Sequence, residues 1–381
     1  MDQPISVRTN LVSGQGSLRD AAEIVDGRVF LITDPGIVAA GHVARLEDIF
    51  AAKQIACHRF DAVTSNPSEA DVDTCRAALQ SAYGDSGADW LVALGGGSCI
   101  DVAKGCSTLA ASGGRMRDYL GHQPTAQEQA PVLAIPTTAG TGSEVQSFAL
   151  ITNDDTGRKM ACGGEAPAVA ILDPDLTRSQ PPFVAACSGL DTLAHAVETA
   201  VTNVRTTASL HYAHEAWRLV ERNFEPSLRQ PDDLNARSAM LRASAAAGIA
   251  IENSMLGAAH SMANPLTRQF GVVHGQAVGQ LLPFIVRFNA EDDQAAAAYA
   301  ELAYDAGISD RSDDKATAVR ELIARLAELV AIAGFEPKFA DVPATAIGAL
   351  ATEAAEQWTA QFNPRPVDVK SFRSLFAQVT S

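Results

Sequence analysis

The hydrophobic period of this chain changes once, near residue 181, and that change limits the folds open to it. Up to about residue 180, short apolar runs alternate with segments that read as helices. The runs are RVFLIT (28–33), QIACHRF (54–60), WLVAL (90–94) and PVLAIP (131–136), and the helical stretches include 35–51, 67–83 and a segment from the glycines after Leu94 to about residue 111. Such alternation predicts parallel strands joined by crossover helices. Shorter extended pieces follow at FALIT (148–152), RKMAC (158–162) and AVAIL (168–172). Beyond Pro181-Pro182 the strand-like runs nearly vanish. Ala-rich segments with apolar residues three and four apart take over, at 189–202, 206–223, 234–251 and 312–333. The expected organisation is an α/β domain over 1–180 and an all-helical domain over 181–381, divided where a proline pair cannot continue a regular hydrogen-bonded element.

With 381 residues there is room for two domains at roughly 150 residues each. Apolar residues make up 47% and charged residues 19%, which excludes a disordered chain. Against 45 acidic residues stand 29 basic ones, a net charge of −16, so a phosphate backbone or an anionic bilayer would be repelled rather than gathered, and neither nucleic acid nor a membrane is expected as a partner. No apolar run is long enough to span a membrane, and the first residues lack the basic and apolar regions of a secretion signal, so a cytoplasmic protein is expected. The six cysteines are scattered without a CxxC pair and read as reduced, mostly buried thiols.

Two loops stand out in the first half. In VALGGGSCIDVAKG (92–105) a buried strand runs into Gly95-Gly96-Gly97-Ser98 and then at once into a helix. Glycines admit close approach of a ligand to the backbone, and the helix start offers free N–H groups and a positive dipole end, which together suit an anion such as pyrophosphate. PTTAGTGSEV (136–145) also follows a strand and carries Thr137, Thr138, Thr141 and Ser143 among glycines, as cradling a polar cofactor requires. Asp34, at the end of RVFLITD, would accept from a ribose diol and repel a 2′-phosphate, favouring NAD over NADP. Each feature has a plainer reading: a tight turn without ligand, a capped Ser/Thr-rich loop, and a capping aspartate before Pro35.

In the second half, Asp191 and His195 are four apart on a helical pattern and leave the same face, while His260 and His274 stand in apolar, small-residue surroundings. Binding a divalent cation is one way to pair four such groups, and one carboxylate with three imidazoles suits Fe²⁺ or Zn²⁺. For any one histidine taken alone, a hydrogen-bonded core position is the alternative. His211 and His214, three apart on a helix with Glu215 and Arg218 beside them, read as a solvated or subunit-facing surface.

Together GGGSCIDVAK, PTTAGTGSEV, the D-x-x-x-H of Asp191 and His195, and His260 followed by the His-Gly at 274–275 resemble the iron-containing (group III) alcohol dehydrogenase family, in order over nearly the whole chain. The resemblance implies a Rossmann-like dinucleotide-binding domain followed by an all-helical domain, the dehydroquinate synthase-like architecture, with metal and substrate in a cleft between them. It also implies a homodimer or higher homo-oligomer. Carried over, the metal ligands fall on Asp191, His195, His260 and His274. The cofactor contacts fall on Asp34, Asn66, Gly96, Gly97, Ser98, Asp101, Thr137, Thr138, Thr141 and Lys159, and FNPRPV (362–367) resembles a segment near the substrate mouth. One position departs: where many members have a second histidine four residues after the third ligand, this chain has Asn264, an amide that cannot titrate near neutral pH.

The activity so implied is hydride transfer between nicotinamide C4 of NAD and the carbinol carbon of a small alcohol or aldehyde, with Fe²⁺, or alternatively Zn²⁺, as Lewis acid. Other readings are a zinc- and NAD-dependent lyase like dehydroquinate synthase, or a metal- and nucleotide-binding protein without turnover. For the substrate, Arg268 is a candidate for attracting a carboxylate or phosphonate, with a surface arginine as the alternative. Phe148, Trp358 and Phe362 are candidates for an apolar wall, with core packing as the alternative.

Overall fold

The central strands of the first half pair side by side because their residues are apolar on both faces, while the edge strands are more exposed. In the computed structural model, which describes residues 7–121 and 128–380, the chain falls into two units, Val7–Gln180 and Pro181–Ser381. The first contains, in chain order, β1 (Asn10–Ser13), α1 (Ala21–Ile24), β2 (Arg28–Ile32), α2 (Pro35–Ala39), α3 (His42–Ala52), β3 (Ala56–Phe60), α4 (Glu69–Tyr83), β4 (Trp90–Gly95), α5 (Gly97–Ser112), β5 (Val132–Pro136), β6 (Phe148–Thr152), β7 (Lys159–Gly163) and β8 (Val169–Leu172). Six of these strands form one parallel sheet in the order β1-β8-β5-β4-β2-β3.

Alternation along each strand feeds two cores. Val29, Leu31, Val92, Leu94, Leu133 and Ile135 join Val43, Leu46 and Phe50 of α3 on one face. Phe30, Ile32, Leu91 and Ala93 join Val72 and Leu79 of α4 and Ile100 and Val102 of α5 on the other. From β2 the chain passes outward to β3 and then returns to β4 on the opposite side of β2. The carboxyl ends of β2 and β4 therefore flank a topological switch point, the usual place for a ligand in such sheets.

Four local features depart from the sequence expectation. The helix expected over 35–51 is two helices, because Gly41 turns through a positive φ of 80° between them. A short edge strand, β1, precedes the first expected one. FALIT and RKMAC pair with each other as an antiparallel two-stranded sheet, outside the parallel one. The helix expected from 189 begins at Pro182, since a proline at the first helical position sacrifices no hydrogen bond.

The second unit is helical: α6 (Pro182–Thr199), α7 (Thr207–Arg229), α8 (Leu234–Glu252), α9 (Ala258–Phe270), α10 (His274–Asn289), α11 (Asp293–Ala306), α12 (Lys315–Ile332), α13 (Ile347–Ala355) and α14 (Val369–Val379). Helix α6 is the hub, packed by α7, α8 and α10 and buried continuously from Gly189 to Thr199. Glycines set its closest approaches. A Cβ on Gly275 would lie 2.0 Å from the Cys187 carbonyl oxygen, and one on Gly279 would lie 2.7 Å from Leu190 Cδ1, so the two glycines of α10 let it lie directly on α6.

Candidate metal centre and dinucleotide loops

Asp191 and His195 project one turn apart from α6, His260 from the first turn of α9, and His274 is the first residue of α10. Helix packing brings them together. Asp191 Oδ1 lies 3.4 Å from His195 Nε2, 3.7 Å from His260 Nε2 and 3.8 Å from His274 Nε2. The His195 and His260 rings stack at 4.9 Å and 16°, and the His260 and His274 rings are 5.3 Å apart. Donors about 2.1 Å from a tetrahedral cation are themselves separated by about 3.4 Å; the ligand atoms of Asp191, His195 and His260 all lie within 4.8 Å of one another, as a shared divalent ion requires, and His274 adds a nitrogen 3.8 Å from Asp191. Asp191 Oδ1 and His260 Nε2 are both buried and complete no hydrogen bond, which is costly unless something else engages them. Burial tends to raise the Asp191 carboxyl, but the neighbouring imidazoles, His195 foremost, outweigh it and hold the group well below its ordinary value. Burial tends to lower His260, while Glu198 and Asp191 outweigh it and raise the ring to about 9. Opposite charge favours the ionised forms of Asp191 and His260 inside the protein, and a cation fits where the His260 proton would sit. The donor set and its orphaned atoms therefore fit Fe²⁺ or Zn²⁺.

Around this cluster lies a carboxylate that sequence reasoning passed over. Glu198, buried on α6, accepts from His260 Nδ1 at 2.5 Å and from the Ala259 backbone N–H at 2.7 Å. Asn363 accepts from the Ala258 N–H at 3.2 Å and pairs with Asn289. Helix α9 has no side-chain cap of its own at Gly257, so these two distant residues satisfy its first amides. The signal for Glu198 was its position, three residues after His195 in a helical stretch with no other charged residue after Asp191.

The two loops of the first unit meet at the switch point. Gly95 adopts a φ of +157°, and a Cβ on Gly97 would strike Thr141 side-chain atoms at 2.7 Å. Gly96 caps α5 and lies beside Thr138, while the Thr137 N–H donates to the Gly95 carbonyl at 3.0 Å. The sequence places Ser98 in the first turn of α5. Asp34 caps α2, with Oδ1 accepting from Gly36 and Ile37 at 2.8 and 3.0 Å, and its Oδ2 turns to the glycine turn, 3.4 Å from Cys99 Sγ. The capping reading of Asp34 holds for one oxygen, while the other accepts from the Cys99 thiol on the glycine turn. Asn66, in the left-handed region at φ 54°, accepts through its carbonyl from Thr152 Oγ1 at 3.2 Å; Lys159 pairs with Thr152 across β6 and β7, so Asn66 and Lys159 flank one residue.

Asp101 is buried and paired with Lys104 at 3.0 Å. The Lys104 ammonium also donates to the carbonyls of Ser143 at 3.1 Å, Gln146 at 3.3 Å and Phe148, and so ties the threonine loop to α5. Asp101 therefore acts within this tie, one step back from the loop surface. Burial pushes the Cys99 thiol well above its ordinary value, which keeps it unreactive.

Among the substrate candidates, Arg268 is committed elsewhere: Nε meets buried Glu353 at 2.8 Å, Nη2 holds the other oxygen, and Gln269 donates to it at 2.6 Å. This clamp between α9 and α13 leaves the guanidinium charge already matched, which counts against its attracting an anionic substrate. Asn264, one turn after His260, donates to Gln357 at 3.0 Å. Trp358 and Phe362 meet edge to face at 6.4 Å, and Phe148 opens β6 in the other unit. His214 and Arg218 both bind Asp305, a surface network, as their surroundings suggested.

A buried cluster of side chains able to hold a cation and a pair of glycine- and threonine-rich loops at strand ends are the features expected of a metal-assisted, dinucleotide-linked oxidoreductase. Residues 8–174 match the family model for iron-containing alcohol dehydrogenase, and residues 185–380 match its C-terminal domain model. The chain belongs to the iron-containing alcohol dehydrogenase family. Alcohol dehydrogenase 4 of Schizosaccharomyces pombe is 31% identical over 335 residues, covering 86% of this chain and 77% of the relative. Among solved structures, 1,3-propanediol oxidoreductase superposes with a TM-score of 0.94 at 28% identity, covering 99% of both chains. Sulfoacetaldehyde reductase of Bifidobacterium kashiwanohense, in complex with NAD⁺, gives 0.88 at 26% identity over 100% of this chain and 99% of that one. No helix among the described residues is long and apolar enough to cross a membrane.

Proposed function

We propose that this chain is a metal-dependent, NAD-linked alcohol dehydrogenase or aldehyde reductase. Asp191, His195, His260 and His274 hold Fe²⁺, with Zn²⁺ as the alternative, and the loops of Val7–Gln180 hold NAD. The convergence of three imidazole nitrogens on Asp191 Oδ1 within 3.4–3.8 Å carries the reading. The metal supplies the Lewis acidity that makes an alcohol proton easier to lose, and the nicotinamide accepts or gives the hydride.

The chain's own residues do the rest. Gly95–Gly97 and the α5 N-terminus receive the pyrophosphate on backbone N–H groups, with the hydroxyls of Thr138 and Thr141 beside them. Asp34 Oδ2 accepts from the adenine ribose and disfavours a 2′-phosphate, so NAD is preferred to NADP. Asn264, an amide bonded to Gln357, orients polar groups near His260 but moves no proton. Substrates are small alcohols and aldehydes, a choice supported by the names of the relatives. The working unit is a cytoplasmic homodimer or higher homo-oligomer.

The test is the metal-free protein reloaded anaerobically with Fe²⁺ and scanned against a panel of small aldehydes by loss of NADH absorbance. Multiple turnover supports the reading, and silence across the panel with metal and NADH both bound overturns it. His274→Ala should lose most of its metal while staying folded, since His274 is only partly buried.

A further inference from the structure

We infer that Glu198 is a positioning residue that locks His260 in the tautomer able to bind the metal, an inference that rests on the metal site proposed above. A neutral imidazole carries one N–H, and the nitrogen that binds a cation must carry none. Glu198 Oε2 stands 2.5 Å from His260 Nδ1, and an ionised carboxylate only accepts, so the proton belongs on Nδ1. Once the ring is neutral, as a ligand must be, the lone pair is thereby left on Nε2, the atom that faces Asp191 Oδ1 at 3.7 Å and completes no hydrogen bond.

The carboxylate has no freedom to turn away. Its other oxygen is held by the Ala259 N–H at 2.7 Å, so the backbone beside His260 and the ring itself are gripped by one group. A Cβ on Gly257 would come within 3.1 Å of Glu198 Oε1, so the glycine there leaves the carboxylate its seat. One helix thus supplies two ligands, Asp191 and His195, and one turn further on the group that orients a third. Two buried carboxylates, Asp191 and Glu198, also match the double charge of the cation.

The isosteric change Glu198→Gln separates this role from that of a helix cap. Glutamine offers one acceptor and one NH₂ where two donors point. If its oxygen keeps the Ala259 N–H, its NH₂ faces His260 and forces the proton onto Nε2. If it turns, the NH₂ opposes the Ala259 N–H. The metal-free full chain is titrated with Zn²⁺ against a chromophoric chelator, and its melting temperature is measured without metal. Wild type should take up one Zn²⁺, and E198Q should bind about 10–100-fold more weakly. An affinity within threefold of wild type overturns the inference, whatever happens to the melting temperature, and a lowered melting temperature with unchanged affinity makes Glu198 a helix cap alone. If wild type itself binds no Zn²⁺, the metal site fails and the inference with it. Should E198Q not fold, nitrogen-15 NMR of the Zn²⁺-loaded wild type decides: a slowly exchanging Nδ1–H on His260 is expected, and its absence refutes the role.

Discussion

Replacing Gly275 by alanine tests whether close helix packing builds the proposed metal centre. The added methyl carbon would lie 2.0 Å from the Cys187 carbonyl oxygen and 2.7 Å from its carbon, both backbone atoms that no rotamer change can move. Restoring an ordinary contact of 3.4 Å requires the start of α10 to retreat by about 1.4 Å. His274 is the adjacent residue, and ligand distances tolerate only about 0.2 Å. One of four ligands should therefore be lost, weakening Zn²⁺ by about 100-fold or more, beyond the usual effect of a supporting residue. Overpacking should cost about 1–3 kcal/mol of the metal-free stability. A chemical-denaturation series with and without Zn²⁺ reads both terms. At a free metal concentration one hundred times the wild-type Kd, the ion adds about 2.7 kcal/mol to wild type, and a hundredfold weaker site gains only about 0.4 kcal/mol. Wild-type metal stabilisation in Gly275→Ala would refute the idea that this glycine sets the position of His274.

Three further outcomes are expected. Asp34→Gly should relax the preference for NAD over NADP in kcat/KM at little cost to the α2 cap, which glycine serves nearly as well; unchanged discrimination would leave Asp34 a capping residue only. Lys104→Met should cost about 3–5 kcal/mol by urea denaturation, because it strands buried Asp101 and three loop carbonyls, and a loss below about 1 kcal/mol would contradict the tie drawn here. Glu69, gripped by Arg117 at 2.6 Å, is held below its ordinary value chiefly by that hydrogen bond, so its stabilisation is present above the free carboxyl value of about 4.3 and disappears as pH falls through the lower, folded value. Glu69→Gln should flatten the acid limb of the stability profile, and parallel limbs would refute the assignment.

How much of this was legible in the sequence varied with the reach of the interaction. Asp191 and His195 are a local pair, so helical spacing alone placed them on one face. His260 and His274 had no such local mark; only their apolar neighbours and the family resemblance pointed to them, and it took the packing of α10 on α6, and of α9 on α10, to bring them in. Arg268 shows the limit of local reading, because the carboxylate that matches it lies 85 positions away on α13. Asp101 and Lys104 were separated by a readable i, i+3 interval, yet the three carbonyls that Lys104 gathers lie on a different loop. FALIT and RKMAC had the right strand character, but apolar period says nothing about which strand will be the partner. Glu198 escaped because a glutamate late in a helix ordinarily faces water, and only the burial of α6 from Gly189 to Thr199 denies it that.

The borrowed caps of α9 bear on how the protein is made. The amides of Ala258 and Ala259 close onto side chains at positions 363 and 198, the first of them 105 residues further along. A ribosome that has released the segment carrying His260 has therefore not yet supplied everything that steadies it. The last cap of α9 is therefore added well after His274, the final residue of the proposed ligand set, has been made.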